Sequence, residues 1–495
     1  MERKDVQRTI AALGIYFLLQ LFVRLLVSHG LELDEAEQLL LTQHLGLGYG
    51  SQPPLYTWML SGLFALFGVN IFSLALLKNL LLFATYLLTY QAARSLGHTR
   101  SVASAAMVSL LFIPQIAWES QRDLTHSVLV VTLAAATIVC WLRLKRDQSV
   151  FNYLLVGLCW GAGLLGKYNF GIFLVSLLVA SLSIVDYRTL LLSSRIFYSL
   201  GVMLAVVVPH AVWAATHVST LLTSSGKFKQ AAHQDYATSV LEGSGSLLQA
   251  VLAFSGPLLI VYGLLWYRYR RRTVPLRRPR QAANLLLRCV MVSLAICLLM
   301  VLVFQVTVFK DRWMQPILFF LPLALLPLVG PALSEQKVRM IRLLGAGVAC
   351  LVLTGMAIRA QVAPAVGILT RFNLPYHELV AQLAPQVASA DLVLAQSPLL
   401  GGTIRLQYPQ TRVAVPGGPK LYHDQSPHHL LVVWHDDPGV KQPENLLNLV
   451  ADMMGDQRLV VPYAPVQAPY NYLPGKIMQL SSMLIERPTP VVPLH

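Results

Sequence analysis

The chain has 495 residues, of which 55% are hydrophobic and 12% are charged, and its mean hydropathy is +0.58. Because soluble domains carry about 25% charged residues, this composition excludes an ordinary soluble enzyme, a disordered protein and a collagen-like fibre. Apolar runs recur along the first three quarters of the chain, and each is long enough to cross a bilayer as a helix. The sequence therefore predicts an all-α polytopic membrane protein with a globular tail.

The apolar runs predict about eleven transmembrane helices. A shorter apolar stretch, residues 55–67, is predicted to lie along the membrane surface or to re-enter it, which makes the first outer loop partly interfacial. The predicted spans are residues 9–28, 70–93, 101–117, 125–142, 150–166, 168–185, 196–216, 247–267, 284–309, 313–333 and 340–360.

Lysine and arginine set the predicted topology. The net charge is +15, and seven arginines crowd residues 268–280. With the N-terminus in the cytoplasm, every second loop is basic, which favours a positive-inside anchor over a nucleic-acid patch. No Asn-x-Ser/Thr acceptor occurs, which favours a bacterial inner membrane with the outer loops and tail in the periplasm.

The remaining signals concern the tail and the cysteines. All five cysteines lie in apolar segments, without disulfide or metal-ligand spacing. We expect two domains, a transmembrane catalytic domain over residues 1–360 and a small periplasmic α/β domain over residues 361–495. The tail is predicted to form a mixed or parallel sheet from helices at 376–387, 399–408 and 445–454 and strands at 391–395, 412–415 and 430–434.

Carboxylates gather in the outer loops. The first outer loop carries Glu32, Asp34, Glu35 and Glu37 within six residues, directly after the first span. Like charges crowded at one membrane level raise one another's pKa unless cations compensate, so such clusters are candidates for functional sites.

An ordered set of outer-loop motifs carries a family resemblance. The acidic pair after span one is followed about 18 residues later by a Pro-Pro-Leu segment and an interfacial helix. Further landmarks lie at the outer ends of later spans, and the set comprises Asp34-Glu35, Gln52-Pro53-Pro54-Leu55, Arg122-Asp123, Gly163-Leu-Leu-Gly-Lys167-Tyr168, Pro209-His210 with Trp213, and Arg312-Trp313 with Pro316.

Over about residues 8–335 this pattern resembles the GT-C superfamily of membrane glycosyltransferases. It is most similar to bacterial aminoarabinose transferases of lipid A and to protein O-mannosyltransferase-like enzymes. Within the last landmark, Trp313 stands where Tyr is usual. Two larger departures leave the donor sugar and the acceptor open: Gln52 stands where aminoarabinose transferases have Lys, and the tail does not clearly match theirs.

The resemblance implies a polyprenyl-phosphate sugar as donor and a lipid-linked glycan or lipopolysaccharide as acceptor. One carboxylate would deprotonate the attacking hydroxyl while the lipid phosphate leaves, so the displacement would invert the anomeric centre. Asp34 is the candidate base, with helix N-capping as the alternative or additional role. Glu35 would hold the acceptor or tune Asp34, and Asp123 would position the acceptor or a metal, or simply pair with Arg122.

Cations at the outer membrane level are the expected ligands of the donor phosphate. We assign this role to Lys167, Arg312 and Arg122, with snorkelling as the alternative for an interfacial lysine. Gln52, Tyr168 and Trp313 are assigned to substrate binding, although the two aromatic residues also suit a membrane-interface belt. The sequence identifies no cofactor with certainty and no residue is assigned to a metal, but a divalent metal stays an open alternative.

Other functions remain open. The main alternatives are a protein O-glycosyltransferase of the same superfamily, a transporter or flippase of lipid-linked glycan, and a scaffold whose tail binds glycan. A transporter would place charges at mid-membrane on broken helices in two related halves, whereas these charges sit at one membrane level. The expected partners are the donor, the acceptor and membrane lipids, without nucleic acid, and the expected state is a monomer.

Overall fold

Long apolar helices form most of the chain. The computed structural model describes residues 2–218, 235–269, 281–329, 333–418, 427–436, 444–454 and 459–487. Most of the predicted arginine cluster, residues 270–280, therefore lies outside the described residues.

The helices of the first half follow the predicted spans closely. The helix predicted over 55–67 has those same bounds. In chain order the helices are α1 (Glu2–Val27), α2 (Leu33–Leu41), α3 (Leu55–Phe67), α4 (Ile71–Ser95), α5 (Arg100–Val108), α6 (Ser120–Arg122), α7 (His126–Leu144), α8 (Val150–Gly166), α9 (Phe170–Leu182), α10 (Val185–Leu191) and α11 (Ile196–Thr216).

The second half continues with apolar helices and ends in the tail. Its helices are α12 (Tyr236–Tyr269), α13 (Gln281–Phe304), α14 (Gln315–Leu318), α15 (Leu321–Val329), α16 (Glu335–Val362), α17 (Tyr376–Gln382), α18 (Ala384–Ala388), α19 (Pro398–Gln407) and α20 (Glu444–Met454).

Among the described residues, seven helices are long and apolar enough to cross a membrane, or up to ten if each of three bent pairs is one span. The bends measure 76°, 116° and 59°. Pro114 lies in the first break, where a proline removes a backbone donor and disfavours helix in the preceding residue. The prediction of a polytopic helical membrane protein is confirmed, and the count reaches eleven if the 17-residue α8 also spans.

The tail contains a sheet, as predicted, and of the two predicted arrangements the mixed one is found. The sheet has six strands, three more than the sequence predicted. Its path is β2-β1-β3-β6-β4, and β5 also pairs with β6. The first three strands are parallel and β6 is antiparallel to its neighbours. The strands are β1 (Leu392–Ala395), β2 (Val413–Ala414), β3 (His429–His435), β4 (Leu459–Pro462), β5 (Val466–Pro469) and β6 (Ile477–Glu486).

Apolar clusters cover both faces of this sheet. One contains Val393, Leu431 and Ile404, and the other contains Leu392, Leu430 and Val450. Because successive strand residues point to opposite faces, helices packed on both sides leave β1 and β3 buried, which explains their continuous apolar sequences.

The chain forms two compact units, which are described separately below. Unit 1 comprises Met1–Gln20, Leu47–Tyr56 and Lys78–Thr354, and unit 2 comprises Leu21–Gly46, Thr57–Leu77 and Gly355–His495. Unit 2 thus includes the acidic part of the first outer loop as well as the tail. The functional boundary predicted at residue 360 stays a prediction.

Candidate active site

In unit 2, the acidic cluster forms the first turn of α2. Glu32 is the N-cap residue, and its backbone N–H donates a 3.0 Å hydrogen bond to Glu35 Oε2. Asp34 lies one position inside the helix and is partly exposed. Glu32 therefore holds the N-cap role that was considered for Asp34. Asp34 lies in a helical turn whose start is fixed by the capping interaction of Glu32 with Glu35.

Arg24 fixes Glu35. The Arg24 guanidinium donates to both carboxylate oxygens, at 3.1 Å from Nε and 2.7 Å from Nη2. It also donates to the backbone carbonyls of Ser28 and Gly30, at 2.9 and 2.8 Å. The Glu35 side chain is only 1% exposed. A buried carboxylate held bidentately in this way is suited to positioning α2, because its lone pairs are already engaged.

Two further arginines hold Glu32. Its carboxylate accepts contacts of 2.7 Å from Arg359 at the end of α16 and 2.6 Å from Arg371 in the tail. The guanidinium carbons of Arg24 and Arg359 lie 5.0 and 4.4 Å from the centre of the Phe372 ring, within cation–π range. Two glutamates and three arginines thus form one network around Phe372.

The tail also packs directly on α2. A Cβ atom added to Gly402 of α19 would lie 2.7 Å from Ala36, so glycine permits this close approach. Gln43, just after α2, exchanges two hydrogen bonds with the backbone of Val413 in β2, at 2.9 and 2.8 Å. Residues of the tail therefore position the helix that carries Asp34.

In unit 1, Lys167 is the C-cap residue of α8, and its side chain reaches the start of α7. Its Nζ donates a 2.5 Å hydrogen bond to Ser127 Oγ in the first turn of that helix. His126 Nδ1 lies 3.2 Å from the Gly166 carbonyl, which joins the same two segments. Asp123 precedes α7 and is 6% exposed. A cation beside a helix N-terminus favours the binding of an anion, since both contribute positive potential.

Arg122 pairs with Glu119. Its Nε and Nη2 donate to Glu119 Oε2 at 3.1 and 2.7 Å. Both side chains are partly exposed, at 35% and 26%. The i,i+3 spacing brings the Arg122 and Glu119 side chains together on one side of a short helical turn.

The predicted site residues after α13 join the same region of unit 1. Gln115 donates a 2.5 Å hydrogen bond to Asp311, the neighbour of Arg312. Asn169 donates to the backbone carbonyl of Trp313 at 3.1 Å. The segments that carry Asp123, Lys167 and Arg312 are therefore tied together by side-chain amides.

A histidine links Tyr168 to the first outer loop. His210 Nδ1 lies 2.7 Å from the Leu47 carbonyl, which requires a proton on Nδ1, and Tyr168 Oη lies 3.1 Å from Nε2. The rings of Tyr168 and His210 stack at 5.9 Å. Gln52 lies close by in sequence, in a turn closed by its two backbone hydrogen bonds with Tyr49.

Several site residues were not identified from the sequence. Arg359, Arg371 and Gln115 contact candidate segments, yet each is remote in sequence from its partner. His210 was named only as part of a landmark, without its contacts to Leu47 and Tyr168. The available signal was Arg359 at the end of the last apolar run, because a charged group in a membrane helix usually pairs with an opposite charge. Within the described ranges, no group of three His, Cys, Asp or Glu side chains is arranged to hold a metal.

The arrangement offers carboxylates on a positioned helix in unit 2. In unit 1 it offers cations, of which Lys167 donates to a hydroxyl and Arg122 to a carboxylate. Residues 51–213 match the family model described as dolichyl-phosphate-mannose-protein mannosyltransferase. The structure is similar to that of ArnT from Cupriavidus metallidurans bound to undecaprenyl phosphate, with a TM-score of 0.57 and 15% identity over 97% of this chain and 98% of ArnT. The apo form of ArnT matches with a TM-score of 0.55 and 17% identity over 96% and 97% of the two chains. The fold is that of the GT-C class of membrane glycosyltransferases.

Two relatives then define the family. Lipopolysaccharide core galacturonosyltransferase RgtB of Rhizobium johnstonii is 34% identical over 437 residues, which are 87% of this chain and 88% of RgtB. RgtA of the same organism, also a lipopolysaccharide core galacturonosyltransferase, is 33% identical over 441 residues, 86% and 87% of the two chains. The chain belongs to the glycosyltransferase family that includes these two enzymes, and it is a multi-pass bacterial membrane glycosyltransferase.

Proposed function

We propose that this enzyme transfers a uronic acid, galacturonic acid, from a polyprenyl phosphate to lipopolysaccharide on the periplasmic face of the inner membrane. The similarity to two galacturonosyltransferases along nearly the whole chain carries the choice of sugar and acceptor. The polyprenyl-phosphate donor is supported by the fold of ArnT, whose structure holds undecaprenyl phosphate. The predicted topology supports the periplasmic side.

The proposed reaction is a single displacement. An acceptor hydroxyl attacks the anomeric carbon, its proton passes to the Asp34 carboxylate, and the bond from the anomeric carbon to the phosphate oxygen breaks. The polyprenyl phosphate leaves with that electron pair, and the anomeric configuration inverts. General base catalysis of this kind contributes about 10²–10⁴-fold.

Glu35 is proposed as a positioning residue. Its sequence-based alternatives were to hold the acceptor or to tune Asp34. The bidentate contact with Arg24 and the bond from the Glu32 N–H support the second role, because a carboxylate with these bonds has little capacity left for a substrate hydroxyl.

Cations in unit 1 are proposed to bind the donor. A polyprenyl-phosphate uronic acid carries two negative groups, the phosphodiester and the sugar carboxylate, and Lys167, Arg312 and Arg122 are the assigned cations. The contact of the Lys167 side chain with the first turn of α7 supports phosphate binding by Lys167. Arg122 already donates to Glu119 through Nε and Nη2, so its remaining N–H donors would bind the phosphate.

The remaining assignments concern the substrates. Asp123 is proposed to position the acceptor, or to hold a divalent metal. Tyr168 and Trp313 are proposed as walls of the sugar or lipid site, and Gln52 as a neutral contact. The hydrogen bond between Tyr168 and His210 supports a fixed orientation of the tyrosine ring.

Donor binding tests the cation assignment. Charge-assisted contacts are worth about 1.5–3 kcal/mol, so Lys167→Ala should weaken donor affinity by about ten- to a hundred-fold. Lys476→Ala is the matched control, since it removes the same charge from an exposed position in the tail. Equal donor affinities of wild type and Lys167→Ala would remove Lys167 from the donor site.

The function itself is tested with the wild-type enzyme in liposomes. The substrates are a labelled polyprenyl-phosphate galacturonic acid and lipopolysaccharide lacking that sugar. The proposal predicts labelled lipopolysaccharide with inverted anomeric configuration, read by NMR of the product. Label in protein would instead support an O-glycosyltransferase of proteins, and movement of the donor across the bilayer without transfer would support a flippase.

A further inference from the structure

An arginine-lined cavity lies at the end of α7 that is remote from Asp123 and Lys167. Its volume is about 470 Å³. The four arginines are accompanied by Tyr90 and Val139, and they are Arg94, Arg100, Arg143 and Arg146. Because α7 has 19 residues, its two ends are separated by about 28 Å, so this cavity is distinct from the candidate active-site residues of unit 1.

The cavity is built by the ends of three helices. Arg94 lies in the last turn of α4, Arg100 begins α5, and Arg143 lies in the last turn of α7. Arg146 follows α7 and donates to the backbone carbonyl of Ser95 at the end of α4, which links the two helix ends. The two helix ends are therefore held together with their guanidinium groups around one space.

The positive charge of this cavity is not balanced by the described part of the chain. No described carboxylate lies within ion-pair distance of any of the four guanidinium groups. The nearby acid Asp147 accepts hydrogen bonds from Ser149 and Asn152 instead. Four like charges around one cavity repel one another, and a bound anion would relieve that repulsion.

The arginines also retain donors for a ligand. Arg94 and Arg146 each donate to one backbone carbonyl, those of His98 and Ser95, whereas a guanidinium has five N–H donors. All four side chains are exposed, so an anion can reach them from the membrane surface. Arginine donors in a fork match the oxygens of a phosphate.

We propose that this cavity binds the phosphate headgroup of an anionic phospholipid, such as phosphatidylglycerol or cardiolipin. The walls favour a lipid over a free anion. Tyr90 lies one turn before Arg94 in α4, and Val139 one turn before Arg143 in α7, so both walls continue into membrane-spanning helices where acyl chains lie. Basic pockets between transmembrane helices bind such headgroups on the cytoplasmic side, which is the side predicted for these loops.

The test compares two double variants of the full-length protein, purified and stripped of lipid. Arg100→Gln/Arg143→Gln removes two cavity charges, and neither side chain makes a hydrogen bond or ion pair with a described residue. Arg188→Gln/Arg339→Gln is the control, because it removes two exposed charges that do not line the cavity. Native mass spectrometry measures binding of phosphatidylglycerol and of phosphatidylcholine with the same acyl chains, and thermal unfolding is followed with inorganic phosphate and glycerol 3-phosphate.

The proposal predicts that phosphatidylglycerol binds wild type and the control variant more tightly than phosphatidylcholine. The cavity variant should bind phosphatidylglycerol about thirty-fold more weakly, roughly five-fold for each arginine. If both variants bound phosphatidylglycerol equally more weakly than wild type, the effect would come from general surface charge, and the proposed binding site would be refuted. Stabilisation by inorganic phosphate or glycerol 3-phosphate, without preferential binding of phosphatidylglycerol, would overturn the assignment of a lipid ligand. The cavity would then be a binding site for free anions. None of these outcomes depends on the proposed transfer reaction.

Discussion

The buried pair of Arg24 and Glu35 should be strongly coupled in stability. The side chains are 11% and 1% exposed, and Arg24 Nη2 lies 2.7 Å from Glu35 Oε2. Arg24→Met would leave the Glu35 carboxylate buried without its cation, which costs about 3–5 kcal/mol. The two bonds to backbone carbonyls add about 1 kcal/mol each.

A double-mutant cycle separates these contributions. Glu35→Gln removes the charge and keeps an oxygen that can accept from the Glu32 N–H. In that background Arg24→Met loses the two hydrogen bonds to backbone carbonyls but leaves no buried carboxylate without a cation. The loss in free energy of unfolding should therefore fall to about 2 kcal/mol. The predicted coupling energy between the two side chains is therefore about 3–5 kcal/mol.

The chain offers a matched control for this cycle. Lys145 Nζ and Asp186 Oδ2 are also 2.7 Å apart, but these side chains are 31% and 41% exposed. Lys145→Met and Asp186→Asn should couple by at most about 1 kcal/mol, because water screens the exposed pair. Unfolding in mixed detergent micelles, followed by circular dichroism, measures both cycles. If the Arg24 and Glu35 cycle couples no more strongly than the exposed cycle, burial does not make this pair a positioning device for α2.

Two further predictions concern unit 2. Gly402→Ala should destabilise the protein by about 1–3 kcal/mol because its Cβ would lie 2.7 Å from Ala36. Gly347→Ala is the control and should be neutral or stabilising, because Gly347 is a helix position with open space around it. Thermal unfolding compares the two variants, and equal shifts in Tm would refute the close contact. Burial, with a smaller contribution from a neighbouring imidazole, lowers the pKa of His377, whose Nδ1 lies 2.9 Å from Gln407 Nε2. The unfolded chain then binds the proton more readily, so Tm should fall as pH falls below about 6.5, and His377→Gln should flatten that dependence; an unchanged pH profile in the variant would contradict this reading.

The sequence predicted those features that depend on local pattern. Apolar length identified α1 and the short apolar helix α3, and the strong apolar run at β3 identified a central strand. These assignments succeed because the bilayer or the sheet buries every residue in such a run.

Features formed between distant residues were not predicted. Glu32 and Arg371 are 339 positions apart and still form a 2.6 Å contact, and no periodicity links them. The ten-residue strand β6 was missed, because Ser481 and Ser482 interrupt its apolar pattern, and both are buried between paired strands. No sequence pattern predicted that the tail packs on the helix that carries Asp34.

The most direct test of the central claim is the turnover of the Asp34→Asn enzyme. The assay uses polyprenyl-phosphate galacturonic acid and lipopolysaccharide. Glu37→Gln is the control, because it removes a carboxylate about one helical turn after Asp34 in α2. Loss of a general base predicts that kcat of Asp34→Asn falls at least about a hundred-fold, while its Tm and donor affinity match wild type and Glu37→Gln keeps its activity. A wild-type kcat in a well-folded Asp34→Asn enzyme would contradict the account and move the base to another carboxylate.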